Sequence, residues 1–222
     1  MKTLDYYELL SILTYNLDQN NSQNRYFIAL AGPPASGKST ISNKLNEDLN
    51  AKGFPSEILQ MDGFHFDDAI LNSKNLLPRK GSPETFDVMG LKNFLIRLAN
   101  EPEVVIPIFD RSLELSRSSA VTITENKKTI IVEGNYLLLN SHPWNTLKDY
   151  FDSSIMIHCE ESILEKRLIE RWKGFDLNQE QINQKVYEND LPNGVSVIKN
   201  SCLLYTSPSP RDMRRSRMPS SA

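Results

Sequence analysis

The segment from Gly32 to Thr40 constrains the fold more than any other part of the chain. It reads GPPASGKST and satisfies the pattern G-x-x-x-x-G-K-[ST]. The short apolar run before it, Tyr26 to Ala31, predicts a buried strand, and the apolar residues after it are spaced four apart, as in a helix: Ile41, Leu45 and Leu49. A glycine-rich loop between a strand and a helix directs backbone N–H groups and the positive helix end toward an anion. The segment therefore predicts a phosphate-binding loop in an α/β fold.

Each fixed position of this loop has a physical role. The glycines let the backbone approach phosphate groups, Lys38 reaches the outer phosphates, and the Ser39 hydroxyl can bind Mg²⁺. The expected nucleotide-binding residues are Gly32, Pro33, Pro34, Ala35, Ser36, Gly37, Lys38, Ser39 and Thr40. The pattern also occurs by chance, and by itself it indicates a nucleotide rather than a particular reaction.

The rest of the chain alternates between predicted strands and helices. Strands are expected at Glu57 to Met61, Val104 to Phe109, Thr129 to Glu133, Ser154 to Cys159 and Val195 to Ile198. Apolar stripes predict helices over Leu4 to Leu17, after Asp87 (Leu91, Phe94, Leu95, Leu98) and before Trp172 (Ile163, Leu164, Leu168). This order predicts a three-layer α/β fold, mainly a parallel sheet with helices on both faces and a helical lid.

Three acidic residues stand where predicted strands end: Asp62, Asp110 and Glu133. In open parallel sheets, ligands bind beyond the carboxyl ends of the strands, so these positions are candidates for chemistry. Phosphoryl transfer to a hydroxyl needs one carboxylate near the acceptor and another that helps to hold magnesium. We assign the first role to Asp62 and the second to Glu133 with Ser39. The alternative is that each acid caps a loop or a helix.

Basic residues accompany these acids. Arg79 and Lys80 precede a glycine, Arg111 follows Asp110, and Arg167 and Arg171 stand four apart on a predicted helix. Like charges at that spacing repel unless an anion lies near, which favours a lid whose two arginines approach the phosphates. The alternative for Arg167 is an ordinary surface pair with Glu170.

Aromatic residues surround the candidate acids. His65 lies between Phe64 and Phe66, so it could contact a substrate or be a packed, hydrogen-bonded core residue. Phe109, Tyr136 and Trp144 are interpreted as core or pocket wall.

Together these segments resemble the phosphoribulokinase/uridine kinase superfamily, in the branch that contains pantothenate kinases and bacterial sugar or nucleoside kinases. The resemblance covers nearly all of Tyr26 to Ile198 and is carried by GPPASGKST (32–40), QMDGFHFDD (60–68), RKGSPETFD (79–87), PIFDRSLE (107–114), IIVEGNYLLL (130–139), RLIERW (167–172) and NDLPNG (189–194). It implies an ATP- and Mg²⁺-dependent kinase that phosphorylates a hydroxyl of a nucleoside, sugar or related metabolite.

The resemblance also implies roles for individual residues. Lys38, Asp62, Glu133 and Arg171 would be catalytic, and Arg167 and Arg171 would contact the nucleotide. The acceptor would be bound by Asp62, His65, Arg79, Lys80, Asp110, Arg111 and Tyr136, and a turn from Asp190 to Asn193 would lie near the adenine. Two departures keep the acceptor open. Uridine kinases usually carry a tyrosine where this chain has Phe64 to Phe66, and pantothenate kinases of this type have a longer carboxyl half.

Two other functions stay open at this level. The chain could be a nucleotide-dependent regulatory ATPase or GTPase without a metabolite acceptor, or a pantothenate kinase-like enzyme. The candidate acceptor segments, residues 62–68 and 79–87, favour a kinase over a regulator.

The carboxyl end differs from the rest. Residues 202–222 carry four arginines, five serines and three prolines without hydrophobic periodicity. Cys202 to Asp212 and Arg217 to Ala222 resemble the translation of a sequencing adapter, so this segment is interpreted as read-through and the natural protein is expected to continue beyond Ser201. Taken as genuine, it would be a basic tail suited to nucleic acid or to an import receptor.

Without that segment the chain has 21 basic and 27 acidic residues, a formal net charge of −6. An acidic body argues against nucleic-acid binding. Apolar runs are too short to span a bilayer, no secretory signal is evident, and the two cysteines suggest neither disulfides nor zinc. We therefore expect a cytoplasmic enzyme without membrane contact, with homodimerisation open, organised as a helix and linker (1–24), a kinase domain (25–201) and the non-native tail (202–222).

Overall fold

The computed structural model of the protein describes residues 4–20, 22, 24–175 and 177–201. The expectations for residues 202–222 lie outside this range. Within it, no helix combines the length and the hydrophobicity needed to cross a membrane.

A four-stranded parallel sheet forms the centre of the fold. Its strands are β1 (Tyr26–Ala31), β2 (Ser56–Gln60), β5 (Thr129–Gly134) and β6 (Ser153–Met156), in the order β2-β5-β1-β6. The register places Glu133 of β5 between Gln60 of β2 and Leu30 of β1. The carboxyl ends of β2, β5 and β1 therefore meet at one edge, where β1 continues into the glycine-rich loop.

Seven α-helices accompany the strands in the described part of the chain. They are α1 (Tyr6–Gln19), α2 (Lys38–Ala51), α3 (Asp68–Ser73), α4 (Val88–Asn100), α5 (Glu161–Lys173), α6 (Gln179–Asn183) and α7 (Leu191–Asn200), with a π-helix (Gln184–Asp190) between α6 and α7. Short 3₁₀ turns occupy Met61–Phe64, Leu77–Arg79, Pro83–Thr85, Trp144–Thr146 and Lys148–Tyr150.

Helices cover both faces of the sheet because β1 is apolar on both sides. Ile28 and Leu30 pack against α1 and α2, whereas Phe27, Ala29 and Ala31 belong to the core that contains α4. All six residues of β1 are buried. The predicted mainly parallel α/β architecture with helices on both faces is confirmed.

The predicted strand at 104–109 is present but does not join this sheet. β3 (Val104–Asp110) pairs antiparallel with β4 (Leu115–Ile123) in a separate two-stranded hairpin, with a register irregularity at the residue between Ile106 and Ile108, which is Pro107. A proline lacks the N–H group that a central strand needs. The sequence did not reveal β4, because LSRSSAVTI faces solvent over most of its length and carries few apolar residues.

The prediction of a strand at Val195 to Ile198 is wrong. These residues lie in α7, which follows the π-helix without a break, so the expected turn from Asp190 to Asn193 is also wrong. Pro192 lies in the first turn of α7, directly after the π-helix. The β-branched residues Val195, Val197 and Ile198 favour a strand locally. The helical conformation is stabilised by burial of Val197 in the core.

Candidate active site

The glycine-rich loop has the backbone that phosphate binding requires. Gly37 has a φ of +94° and precedes the first residue of α2, so the loop enters the helix through a left-handed residue that favours glycine. A Cβ on Gly32 would lie 3.0 Å from Ile157 Cβ and from Ser36 Oγ, so no larger residue fits there without a shift. The loop is thus closely packed around a helix end with a positive dipole.

Lys38 is buried within this loop. Its ammonium group donates a hydrogen bond to the Pro33 carbonyl oxygen at 2.9 Å, and the side chain is 7% exposed. Burial lowers the pKa of Lys38, while the carboxylates of Glu133 and Asp62 oppose this effect. The cation can therefore exchange one carbonyl for the oxygens of a bound phosphate.

Two oxygen ligands suitable for magnesium lie beside the loop. Ser39 Oγ donates to Glu133 Oε2 at 3.4 Å, and Glu133 is 7% exposed at the end of β5. Burial, together with the negative charge of Asp62, raises the pKa of Glu133 to about 7, against the lowering effect of Lys38 and Arg111. No cluster of three His, Cys, Asp or Glu side chains exists in the described ranges that could bind a metal by itself. A hydroxyl and one carboxylate fit Mg²⁺, which takes its other ligands from phosphates and water.

The hairpin brings a cation to the second candidate carboxylate. Arg111 Nη2 donates to Asp62 Oδ2 at 2.8 Å, which joins the hairpin turn to the 3₁₀ turn after β2. The two segments are in close contact, because a Cβ on Gly63 would lie 2.9 Å from the Pro107 carbonyl oxygen. Asp62 is therefore positioned by an ion pair and faces the same cavity as the loop.

His65 is both packed and exposed to the cavity. Its ring lies 3.9 Å from that of Phe86 and 4.8 Å from that of Phe109, measured between centroids. His65 Nδ1 donates to the Asp62 carbonyl oxygen at 2.8 Å, and burial lowers the pKa of His65. The ring thus forms part of an aromatic wall, as expected for a packed, hydrogen-bonded residue, and its contact with a substrate stays a prediction.

The remaining candidates on the acceptor side separate into two groups. Lys80 lines the cavity and donates to Asp68 Oδ1 at 2.7 Å and to the Glu114 carbonyl oxygen at 2.6 Å. Three others do not line it. Arg79 lies near Glu84 at 3.9 Å, Tyr136 is fully buried and donates to the Gly81 carbonyl oxygen, and Asp110 shapes the hairpin turn.

The Asp110 carboxylate stabilises the hairpin turn. Its Oδ1 accepts hydrogen bonds from Ser112 N, Ser112 Oγ and Leu113 N, and its Oδ2 pairs with Arg117 at 2.9 Å. These donors lower the pKa of Asp110. The residue fixes the turn from which Arg111 reaches the cavity.

The two arginines of α5 also differ. Arg171 lines the cavity next to Trp172, whereas Arg167 Nη1 donates to the Ala35 carbonyl oxygen at 3.3 Å and supports the loop from outside the cavity. Trp172 Nε1 donates to Asp190 Oδ2 at 2.7 Å, and burial raises the pKa of Asp190. Helix α5 and the end of the π-helix therefore form one side of the site together.

These groups surround one cavity of about 370 Å³. One wall comes from the glycine-rich loop, α5 and the π-helix. The other, which we call the hairpin wall, consists of Asp62, His65, Lys80, Gly81, Phe86, Phe109, Arg111 and Glu114. The cavity thus places a phosphate-binding loop and a paired carboxylate within one space.

Five lining residues were not singled out from the sequence: Gly81, Phe86, Glu114, Asn135 and Trp172. Asn135 follows Glu133 by two residues, so the strand-end argument could have identified it. Trp172 is adjacent to Arg171 on α5. Glu114 reaches the cavity through a left-handed backbone conformation in the hairpin turn, which no sequence pattern reveals.

Comparison with protein families gives one match that spans most of the fold. The model of the phosphoribulokinase/uridine kinase family matches residues 27–179. An uncharacterised Escherichia coli K12 protein, YggC, is 35% identical over 82% of this chain and 76% of its own length. A proposed uridine kinase of Schizosaccharomyces pombe is 32% identical, with 80% of each chain covered.

Solved structures and longer relatives agree with this match. The proposed fructose transport system kinase of Silicibacter sp. TM1040 superposes with a TM-score of 0.86 at 34% identity, over 93% of this chain and 98% of its own. The pantothenate kinase of Ligilactobacillus salivarius is 31% identical, but the alignment spans 67% of this chain and 49% of the relative. The chain thus spans about half the length of that pantothenate kinase.

Proposed function

Because the chain belongs to the phosphoribulokinase/uridine kinase family, we propose that it transfers the γ-phosphate of ATP to a hydroxyl group of a nucleoside, a sugar or a related metabolite. The observation that carries the proposal is the shared cavity. Lys38, Ser39 and Glu133 lie on its loop side, and the ion-paired Asp62 belongs to the hairpin wall.

The loop side would bind the nucleotide. Backbone N–H groups of the non-proline residues in 32–40 and the Lys38 ammonium group would contact the β- and γ-phosphates, and Arg171 would stabilise charge on the transferred group. Ser39 and Glu133 would hold Mg²⁺, whose charge would offset that of the phosphates. Arg167 supports the loop through Ala35. Trp172 and Asp190 lie on the same side and are suited to the nucleotide base.

The hairpin wall would bind the acceptor. The acceptor hydroxyl loses its proton to Asp62 while its oxygen forms a bond to the γ-phosphorus. The bond from that phosphorus to the bridging oxygen breaks, and this oxygen keeps the electron pair and leaves with ADP. Arg111 holds the Asp62 carboxylate in place at 2.8 Å, so that positioning and proton acceptance act together.

Replacing Asp62 by Asn tests this assignment. We expect kcat to fall roughly 10²- to 10⁴-fold, because the amide cannot accept the proton, while ATP affinity changes little. ADP formation and the mass of the phosphorylated product would be measured with sugars, nucleosides and pantothenate as acceptors. Asp18→Asn on α1 makes the same chemical change outside the cavity and serves as the control.

Near-normal turnover in Asp62→Asn would rule out its role as proton acceptor. ATP consumption that does not increase with any acceptor of the panel would instead favour a nucleotide-dependent regulator. Turnover confined to pantothenate would assign the chain to the pantothenate kinase-like alternative.

A further inference from the structure

Glu114 has an unusual backbone conformation in the hairpin turn. Its φ of +52° lies in the left-handed region, which residues with a side chain rarely adopt. Such conformations persist where the surrounding structure imposes them, and they concentrate at functional sites. Glu114 also lines the cavity.

Two interactions impose this conformation. Asp110 fixes the first part of the turn through Ser112 and Leu113. Lys80 fixes the end of the turn, because its ammonium group donates to the Glu114 carbonyl oxygen at 2.6 Å while it pairs with Asp68 at 2.7 Å. The backbone of Glu114 is therefore held from both sides, and the carboxylate remains available.

Every charged side chain of the hairpin wall except Glu114 has an ion-pair partner. Asp62 is paired with Arg111, and Lys80 is paired with Asp68 of α3. Among the residues that the structure describes, none forms an ion pair or a hydrogen bond with the Glu114 carboxylate. The wall thus presents one carboxylate that has no partner of its own to whatever binds there.

The rest of the wall is apolar and aromatic. Phe86 and Phe109 both contact the His65 ring, with centroid distances of 3.9 and 4.8 Å, and Phe86 is buried. Such a surface suits the carbon skeleton of a ring or chain, and it offers no further cation to an anionic group. Polar groups of an acceptor can therefore be bound only by the carboxylates of this wall or by Lys80 and Arg111, which already have ion-pair partners.

We infer that Glu114 determines acceptor specificity: its carboxylate accepts hydrogen bonds from hydroxyl groups of an uncharged polyhydroxylated acceptor and repels acceptors that carry a carboxylate or phosphate. The inference rests on the proposed function and narrows its substrate class. A like charge within several ångströms in a partly solvated site changes affinity by roughly tenfold.

Matched acceptor pairs test this inference in the full chain. Each pair differs by one anionic group: pantothenol and pantothenate, ribose and ribose 5-phosphate, glycerol and glycerate. We expect kcat/KM to favour the neutral member by roughly tenfold or more in the wild type. In Glu114→Gln the preference should decrease, through a lower KM for the anionic member, with the KM for ATP unchanged.

Two further variants separate recognition from turn structure. Glu114→Gly removes the carboxylate and favours the left-handed backbone, so it should fold at least as well as the wild type and lose the preference. Glu103→Gln makes the same charge change on an exposed residue outside the cavity, and it should keep the wild-type preference. Added salt should weaken the preference in the wild type.

The inference is overturned if anionic members are used as well as neutral ones, or if Glu114→Gln and Glu103→Gln give the same ratio. If no acceptor is phosphorylated, the proposed function fails instead. In that case, calorimetric titration of the same pairs in the presence of a non-hydrolysable ATP analogue tests the inference. Selective binding of the neutral member that disappears in Glu114→Gln would support the inference. Equal binding of the two members by the wild type would refute it.

Discussion

His65 shows how one side chain combines packing with a place in the site. Burial lowers its pKa, and Lys80 and Arg111 lower it further, whereas Asp62 opposes them through its charge and its carbonyl oxygen. The folded-state pKa thus lies below the reference value of 6.5. Near and below pH 6.5 the folded protein binds fewer protons at His65 than the unfolded chain does. The contribution of the neutral ring to the free energy of unfolding is therefore complete above pH 6.5 and is lost as the pH falls.

We predict that His65→Asn reduces this pH dependence. Asn retains a donor near the position of Nδ1 but does not titrate, so the free energy of unfolding of the wild type should fall relative to the variant as the pH decreases from 7.5 to 5.5. Urea unfolding at several pH values measures the difference. His158→Asn changes an exposed histidine and is the control. If the difference in free energy of unfolding between the wild type and His65→Asn does not vary with pH, the lowered pKa of His65 is contradicted.

At the scale of elements, the π-helix joins the two walls of the cavity. Asn189 is 4% exposed near its end, and Nδ2 donates to the Lys80 carbonyl oxygen at 3.0 Å. Its Oδ1 accepts from Asn193 Nδ2 of α7 at 3.1 Å, and α7 approaches the glycine-rich loop, with Gly194 close to Pro33. One buried amide therefore connects the nucleotide side with the segment that carries Lys80.

Asn189→Ala should disturb the hairpin wall more than the loop wall. Loss of the hydrogen bond to the Lys80 carbonyl oxygen, worth about 0.5–1.5 kcal/mol, predicts a KM for the acceptor that rises roughly 3- to 10-fold with a smaller change for ATP. Steady-state kinetics with each substrate varied in turn measures both constants. Asn183→Ala on the exposed side of α6 is the matched control. Equal changes in both KM values would show that Asn189 has no such connecting role.

Prediction from sequence succeeded where a local pattern coincides with burial. The strand from Tyr26 to Ala31 and the glycine-rich loop after it are present as predicted. Both are determined by residues that are neighbours in the sequence. β4 and α7 were missed or misassigned because their state depends on distant partners: β3 for the exposed β4, and the core around Val197 for α7.

The candidate site divides in the same way. Lys38, Ser39, Asp62 and Glu133 lie at strand ends or in a motif, so their convergence follows from a parallel sheet. Asp110 lies outside the cavity because β3 belongs to the hairpin instead of that sheet. No pattern in the sequence indicates the left-handed conformation of Glu114.

At the scale of the whole molecule, Arg25 ties several elements to the start of β1. The residue is 8% exposed, and its guanidinium group donates to five carbonyl oxygens at the end of α4 and on both sides of the β4–β5 connection: Leu98, Glu101, Pro102, Thr124 and Lys127. Burial lowers the pKa of Arg25. The hairpin is thereby anchored to the central sheet at the end remote from its turn.

Arg25→Met should lower the free energy of unfolding by roughly 2–4 kcal/mol, because buried carbonyl groups lose their donor. The matched control is Arg97→Met, which breaks an exposed ion pair with Glu101 and should cost less than about 1 kcal/mol. Urea unfolding measures both. Similar losses in the two variants would contradict a special role for Arg25.

The separation of the hairpin from the parallel sheet has a consequence for divergence among relatives. β3 and β4 share no backbone hydrogen bonds with the four strands that position the phosphate-binding loop. Exchange of the turn from Asp110 to Leu115 therefore leaves the register of those strands unchanged. The turn can therefore vary among relatives without a change in the strands that position the glycine-rich loop.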